Sequence, residues 1–350
     1  MTLPALERGD RVANFVLADL AGAFRLFYDL TKGGPGLIAL GDGADAATQR
    51  LLARLAADSG PFATLGCELF AVVIGAADRV AALAKAAAPG ELPFPVFIDA
   101  EAKVNRVYPV AGESAGLKLV LIDPNQRVLA SFAGAGPDPL VDAARDWLAR
   151  YWRAAEPTPS GAPAPILMVP DAFDRALCDA LIAAWRADHA ELGVSGSTDA
   201  LLYDKKKSQD HVVRDPDMNR RISQTLNRRI APEVLKAFTF KGPYGFDGHI
   251  VLGYDAERRD FFGPHRDNMS PRTRHRRFAI SLNLNDDFEG GELRFPEYGG
   301  ALYRMASGTA CVFSCSLLHE AVPVKKGRRF VLTTFMCDPA GPAPGGAGKA

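Results

Sequence analysis

Three polar residues, His265-Arg266-Asp267, stand in FFGPHRDNMS between an aromatic pair and an arginine-rich turn. A kinase-type catalytic loop would need an Asn five residues past the Asp, but position 272 is Arg, and no VAIK, DFG or glycine-rich loop accompanies it. A metal claw fits the residue types better. On a strand, residues i and i+2 point to one face, so His265 and Asp267 can reach the same ion. A third ligand must then come from another strand, and LLHEAVPV supplies His319 just after the apolar run TACVFSCSLL. Two imidazoles and one carboxylate leave one face of an octahedral ion open, the donor set of non-haem iron(II) sites. Ten residues past His319, KKGRRFVLTTF places Arg329, whose planar guanidinium offers paired donors to a carboxylate. Arg328 alternates to the opposite face and is the poorer anchor.

The other candidates lack partners of this kind. His275 lies among arginines in RTRHRRF, where a cation would be repelled, so a solvated turn is expected. His249 opens the run HIVLGYD, and His211 and His189 fall outside any motif. Cys311, Phe313 and Cys315 share one strand face, with the two thiols too far apart to bridge. The five cysteines are scattered and odd in number, with no CxxC, which suits a reducing, cytoplasmic setting.

Lys plus Arg (41) balances Asp plus Glu (41), so the chain has no overall field that demands nucleic acid or a membrane. The opening MTLPALERGDRV lacks a signal-peptide pattern, and no apolar run approaches a membrane span. At 350 residues two domains are expected. AAEPTPSGAPAP reads as a linker, giving bounds of 1–155 for the first domain, 156–165 for the linker and 166–338 for the second. The tail 339–350 is of similar composition and is expected to be disordered. In the first domain the runs GLIAL, FAVVIG, PVFIDA and LKLVLID alternate with helical patterns, which predicts an α/β layer. In the second, helical stretches near 173–189 and 218–238 precede a run of strands, which predicts a jelly roll buttressed by helices. In RRFAISLNLN the alternation of Phe278, Ile280, Leu282 and Leu284 has the period of a half-buried strand.

ERGDRVANFVLADLAG, FPVFIDAEAKVNRVYPV and LVLIDPNQRVLASF resemble the peroxiredoxin branch of the thioredoxin-like family, over roughly residues 5–153. The resemblance implies a nucleophilic cysteine at the start of the helix after the first long strand. The matching stretch, GDGADAATQRLL, has none, so this domain is expected to be redox-inactive. The only thiol of this half is Cys67, and a thiol peroxidase acting through it is one rival reading.

HIVLGYDAERRDFFGPHRD, SLNLNDDFEGGELRFPE and SGTACVFSCSLLHEAVPVKKGRRFVLTTF resemble the Fe(II)/2-oxoglutarate-dependent oxygenases of the prolyl-4-hydroxylase-like branch. The resemblance implies a double-stranded β-helix with His265, Asp267 and His319 as catalytic iron ligands. It implies that Arg329 binds the distal carboxylate of 2-oxoglutarate and that Tyr254 lends its hydroxyl to the same cosubstrate. Fe(II), 2-oxoglutarate and O2 are then the cofactors, with ascorbate as an accessory. A family tyrosine two residues before the Asn of the LN pair is replaced by Asn283. The implied reaction is hydroxylation of an unactivated C–H bond, with release of succinate and CO2. The first substrate expectation is a prolyl side chain in a peptide or protein.

Two arginines spaced six apart mark the nucleic-acid-demethylating branch, but Phe335 and Thr334 stand six after Arg329 and Arg328, so nucleic acid is not expected. The basic stretches KKK at 205–207 and RTRHRR at 272–277 read as a solvated rim, and YDKKKSQDHVV as a lid loop over the site. The other rival reading is a non-catalytic module that binds partners through both halves.

Overall fold

The computed structural model describes residues 4–31, 33–88, 90–111, 116–153, 163–191, 206–270 and 272–339. The chain divides into two units, Met1–Pro157 and Thr158–Ala350. Residues 154–162, which take in most of the expected linker, lie outside the described residues, as does the tail from 340. The linker expected at 156–165 ends too late. Ala164 is buried in the second unit, and its N–H donates to the Tyr303 hydroxyl at 2.9 Å.

In the first unit the elements run β1 (Val16–Asp19), β2 (Phe24–Leu26), α1 (Phe27–Leu30), β3 (Gly36–Asp42), α2 (Ala46–Ala57), α3 (Ser59–Thr64) and β4 (Glu68–Ile74). They continue with α4 (Ala77–Ala87), β5 (Val96–Asp99), α5 (Lys103–Val107), β6 (Leu117–Ile122), β7 (Val128–Gly134) and α6 (Pro137–Tyr151). One sheet of order β2-β1-β5-β4-β3-β6-β7 has β3, β4 and β5 parallel and its flanking strands antiparallel. The near-continuous apolar strands of this centre are buried on both faces. Leu37, Ala39, Leu69, Leu119 and Leu121 pack beneath α2 and α6, while Ile38, Leu40, Val72 and Val120 pack on the other face with Phe15, Phe27 and Tyr108. This is a thioredoxin-like fold.

The second unit runs β8 (Leu167–Val169), α7 (Arg175–Ala187), β9 (Lys206–Lys207), β10 (Gln209–Val212), α8 (Pro216–Arg229) and α9 (Ala231–Ala237). Strands follow: β11 (Gly245–Asp255), β12 (Phe261–His265), β13 (Arg276–Asn283), β14 (Glu289–Gly290), β15 (Leu293–Arg294), β16 (Leu302–Tyr303), β17 (Ala310–Ser314), β18 (His319–Ala321), β19 (Val324–Lys326) and β20 (Arg328–Cys337). A major antiparallel sheet, β10-β11-β20-β13-β17-β8, faces a minor one, β16-β15-β18-β12-β9. Two antiparallel sheets around one core, backed by helices, make the double-stranded β-helix.

Period-two alternation divides β11, β13 and β20 between two cores. Val251, Ile280, Leu282, Phe330 and Leu332 pack against α7, α8 and α9, while Leu252, Ala279, Val331 and Phe335 face the minor sheet. The RRFAISLNLN strand is therefore buried on both faces rather than half-buried, because the helices cover what would be its wet side. Helix starts are fixed locally. Asp174 caps α7 through the Leu177 N–H at 2.8 Å, and Asp215 caps α8 through the Met218 N–H at 2.7 Å, ahead of Pro216. The Trp185 indole of α7 lies where a Cβ on Gly253 would come within 2.6 Å, so that position of β11 requires glycine.

The expected lid is not a loop over residues 206–212. Those residues form β9 and β10, paired to β12 and β11, and the buried Lys206 is ion-paired to Asp210. Positions 203–205 lie outside the described residues.

Candidate metal centre

His265 ends β12, and His319 opens β18 as its direct cross-strand partner. Asp267 lies past the end of β12, so it does not share a strand face with His265 as the spacing had implied. It is brought in by the turn, whose Asp267 N–H donates to the Cys315 carbonyl at 3.0 Å. The result is a convergence all the same. One donor atom from each of His265, Asp267 and His319 lies within 4.8 Å of the others. The two Nε2 atoms stand 3.4 and 3.5 Å from separate oxygens of the Asp267 carboxylate.

Both imidazoles are presented alike. His265 Nδ1 bonds to the Gly263 carbonyl at 2.8 Å and His319 Nδ1 to the Leu317 carbonyl at 3.0 Å. A carbonyl only accepts, so Nδ1 carries the proton and Nε2 keeps its lone pair for a metal. Phe262 stacks on His265 with ring centroids 3.6 Å apart, and Phe313 meets His319 at 4.6 Å. Burial pushes the His319 pKa down to about 4. Burial would raise Asp267, but the His265 hydrogen bond and the His319, His265 and Arg276 charges outweigh it and lower its pKa. Neutral imidazole and ionised carboxylate are the states that ligate a cation.

The same cavity is lined by Arg329, Tyr254, Leu252, Leu293, Val331 and Phe335. Arg329 is 1% exposed and pairs in register with Tyr254 across β11 and β20, its guanidinium 5.7 Å from the phenol ring centre. Its Nε donates to Asn283 Oδ1 at 3.0 Å, while its Nη2 is buried with no hydrogen-bond partner among the described residues. Burial lowers the Arg329 pKa, yet a guanidinium remains charged at neutral pH. A buried cation with an open donor facing a cavity calls for an anion. Burial raises the pKa of Tyr254, with Arg329 opposing, so its phenol stays neutral. The donor set and the open guanidinium thus suit a ferrous ion and a small dianion in one chamber. A wider hollow around Arg175, Asp179, Arg186 and Glu257 lies apart from these residues, and its Arg328 is already paired with Asp255.

Arg328 points away from the chamber, as strand alternation required. The remaining histidines stay out of the cluster. His275 sits in a turn but is mostly buried, its Nε2 3.4 Å from Asp247, which corrects the solvated turn expected there. His249 is buried between Ser223 and Thr334, His189 stacks on Trp185, and His211 bonds to the Asp188 carbonyl. All five cysteines are free and buried. In the first unit, α2 begins at the Asp45 cap instead of a cysteine. Cys67 follows α3, and burial pushes its thiol up to about 12. That is the opposite of the activation a peroxidase requires. Sequence reasoning passed over Phe262, Phe313 and the Cys315 carbonyl, whose roles depend on cross-strand register.

Residues 250–337 match the family model "2OG-Fe(II) oxygenase superfamily". They form a 2OG-Fe(II) oxygenase domain. The human procollagen-lysine,2-oxoglutarate 5-dioxygenase 2 is 27% identical over 177 residues, covering 47% of this chain and 22% of that protein. The chain thus spans less than a quarter of that relative's length. A prolyl-4-hydroxylase of Pseudomonas putida is similar in structure, with a TM-score of 0.40, 16% identity, and coverage of 50% of this chain and 94% of its own. Peroxidoxin BcpB of Mycobacterium tuberculosis is another such neighbour, at a TM-score of 0.37, 18% identity, and 42% and 99% coverage. Among the described residues no helix is long and apolar enough to cross a membrane.

Proposed function

We propose that the oxygenase domain is an Fe(II)- and 2-oxoglutarate-dependent dioxygenase that hydroxylates an unactivated C–H bond in a side chain of a peptide or protein. The observation that carries this reading is the pairing, in one cavity, of the His265-Asp267-His319 cluster with the buried, open Nη2 of Arg329. His265, Asp267 and His319 would hold the metal through Nε2, a carboxylate oxygen and Nε2. Arg329 takes the distal carboxylate of 2-oxoglutarate, and Tyr254 walls the chamber beside it. Bound there, iron(II) and 2-oxoglutarate would supply, with O2, oxidation of a substrate C–H to an alcohol, with succinate and CO2 as co-products.

The protein's own contribution is positional. Apolar walls at Leu252, Leu293 and Val331 exclude water around the guanidinium, which strengthens its hold on a carboxylate. Phe262 and the two carbonyl contacts fix the imidazoles before any ion arrives. Substrate class follows the names of the relatives, whose targets are procollagen lysine and, in the structural neighbour, proline. Prolyl peptides are the first substrate to test and lysyl peptides the second. A cytoplasmic setting and recruitment of partners by the thioredoxin-like unit complete the proposal. The buried, high-pKa Cys67 speaks against peroxide chemistry there.

The test is anaerobic. Fe(II) and 2-oxoglutarate added together should give the weak visible charge-transfer band of an iron chelate, and air with ascorbate should then release succinate. His265→Ala or Asp267→Ala should remove the band, and Arg329→Ala should mainly weaken 2-oxoglutarate binding. A wild-type protein with neither band nor succinate would return the domain to a partner-binding role.

A further inference from the structure

We propose that Asn283 is a positioning residue for the anion at Arg329: its neutral oxygen aims the guanidinium without neutralising it. The inference rests on the reading of the cavity as a 2-oxoglutarate site, and deepens it. Arg329 Nε donates to Asn283 Oδ1 at 3.0 Å, and Asn283 Nδ2 donates to the Met305 carbonyl at 2.8 Å. The second bond fixes which way the amide points, since a carbonyl can meet only the NH2 end. Its oxygen must therefore face the arginine. With Nε held, the guanidinium plane is set and Nη2 is left open. Beneath it, Gly291 has φ +70°, and a Cβ there would lie 3.0 Å from Arg329 Cδ, so the side chain fills its slot closely.

The chemistry of the partner is what carries the inference. Other arginines on these sheets and turns pair with carboxylates: Arg328 with Asp255, Arg276 with Asp247, Arg258 with Asp260 and Arg294 with Glu320. Arg329 is the most deeply buried of them and has the greatest need of a counter-charge, yet its partner is an amide. An aspartate at position 283 would be nearly isosteric and would give Arg329 a full counter-charge, at the loss of the bond to the Met305 carbonyl. It would also occupy the charge that an incoming carboxylate must find. A neutral acceptor leaves more of the attraction for the ligand, with the Glu292 carboxylate as the acidic group that also acts on Arg329.

The experiment titrates the full-length, Mn(II)-loaded protein with 2-oxoglutarate and with 2-oxobutyrate, which lacks the distal carboxylate, by calorimetry. Melting temperatures are measured without ligand. Asn283→Ala should weaken 2-oxoglutarate by about tenfold and lower the melting temperature, because the guanidinium loses its guide. Asn283→Asp should weaken 2-oxoglutarate by roughly a hundredfold and leave 2-oxobutyrate little changed. A purely structural role predicts instead that 2-oxoglutarate and 2-oxobutyrate weaken together in the Asp variant. An Asp variant that binds 2-oxoglutarate as tightly as wild type overturns the inference. If that variant does not fold, unchanged affinity in Asn283→Ala overturns it instead. Failure of the underlying reading looks different: Arg329→Ala would then bind 2-oxoglutarate no more weakly than wild type.

Discussion

His265 and His319 each commit Nδ1 to the carbonyl two residues earlier, so one local device is used twice to present Nε2. The ring of His265 has a further restraint in Phe262, stacked at 8° to it. Phe262→Leu should keep the fold and loosen the ring. Its effect should be a fall in Mn(II) or Fe(II) affinity of about tenfold, the scale of losses when a ligand's outer contacts go, and metal titration measures it. Cys67 makes a contrasting case. With its thiol pKa raised to about 12 by burial, it should resist iodoacetamide in the native protein at pH 7.5 and react only on unfolding, which mass spectrometry of the alkylated peptide would read. At this scale the sequence was legible where residue type and spacing bring side chains together: the HxD and the distant His319 converge, and Arg329 ten residues later lines the same cavity. It was not legible where the partner is chosen by register. Nothing in SLNLN says that the Asn283 amide will meet a guanidinium 46 positions away, nor in CSLL that the Cys315 carbonyl will hold the turn bearing Asp267.

Between elements, the decisive contact is β12 against β18, which sets the two imidazoles opposite one another across a register shift following Phe262. Alternation along a strand does not say which of its faces meets helices, so β13 reads as half-buried although α7, α8 and α9 cover its other face. A buried histidine ties that helical layer to the sheet. His249 of β11 lies between Ser223 of α8 and Thr334 of β20, and burial lowers its pKa from 6.5 to about 4, against the pull of Asp247. A folded pKa below the unfolded one means that the unfolded chain binds the proton first. The stabilisation is therefore whole above pH 6.5 and is lost as pH falls towards 4. Between pH 7.5 and 5 it amounts to about 2 kcal/mol. His319 adds a loss of the same sign in the metal-free protein. Urea unfolding of the apo protein at the two pH values should show the decline, and His249→Gln should flatten it. An unchanged slope in that variant would mean that His249 titrates normally in the fold.

On the scale of the whole molecule, each unit has its own cores, and both fold classes could be read from element order: strands alternating with helices in the first, helices followed by strands in the second. Separate cores make separate cooperative melting units. A ligand that binds only one native unit stabilises that unit by RT ln(1 + [L]/Kd), about 2.7 kcal/mol at a hundredfold excess over Kd. For domains of roughly 150–250 residues this corresponds to a rise of about 5–11 °C in the midpoint. The tryptophans allow the shifted unit to be assigned: Trp147 and Trp152 belong to the first unit, and Trp185, 1% exposed beneath β11, is the sole tryptophan of the second. In a Trp147→Phe, Trp152→Phe variant, fluorescence reports the second unit alone. Mn(II) with 2-oxoglutarate should raise that fluorescence midpoint, and in wild-type calorimetry should move one transition and leave the other in place. A ligand-induced shift in calorimetry with a stationary Trp185 signal would put the binding site in the thioredoxin-like unit and end the assignment of the chamber to His265, Asp267, His319 and Arg329. Joint movement of both transitions would instead show that the two units melt as one, a coupling that their independent cores do not require.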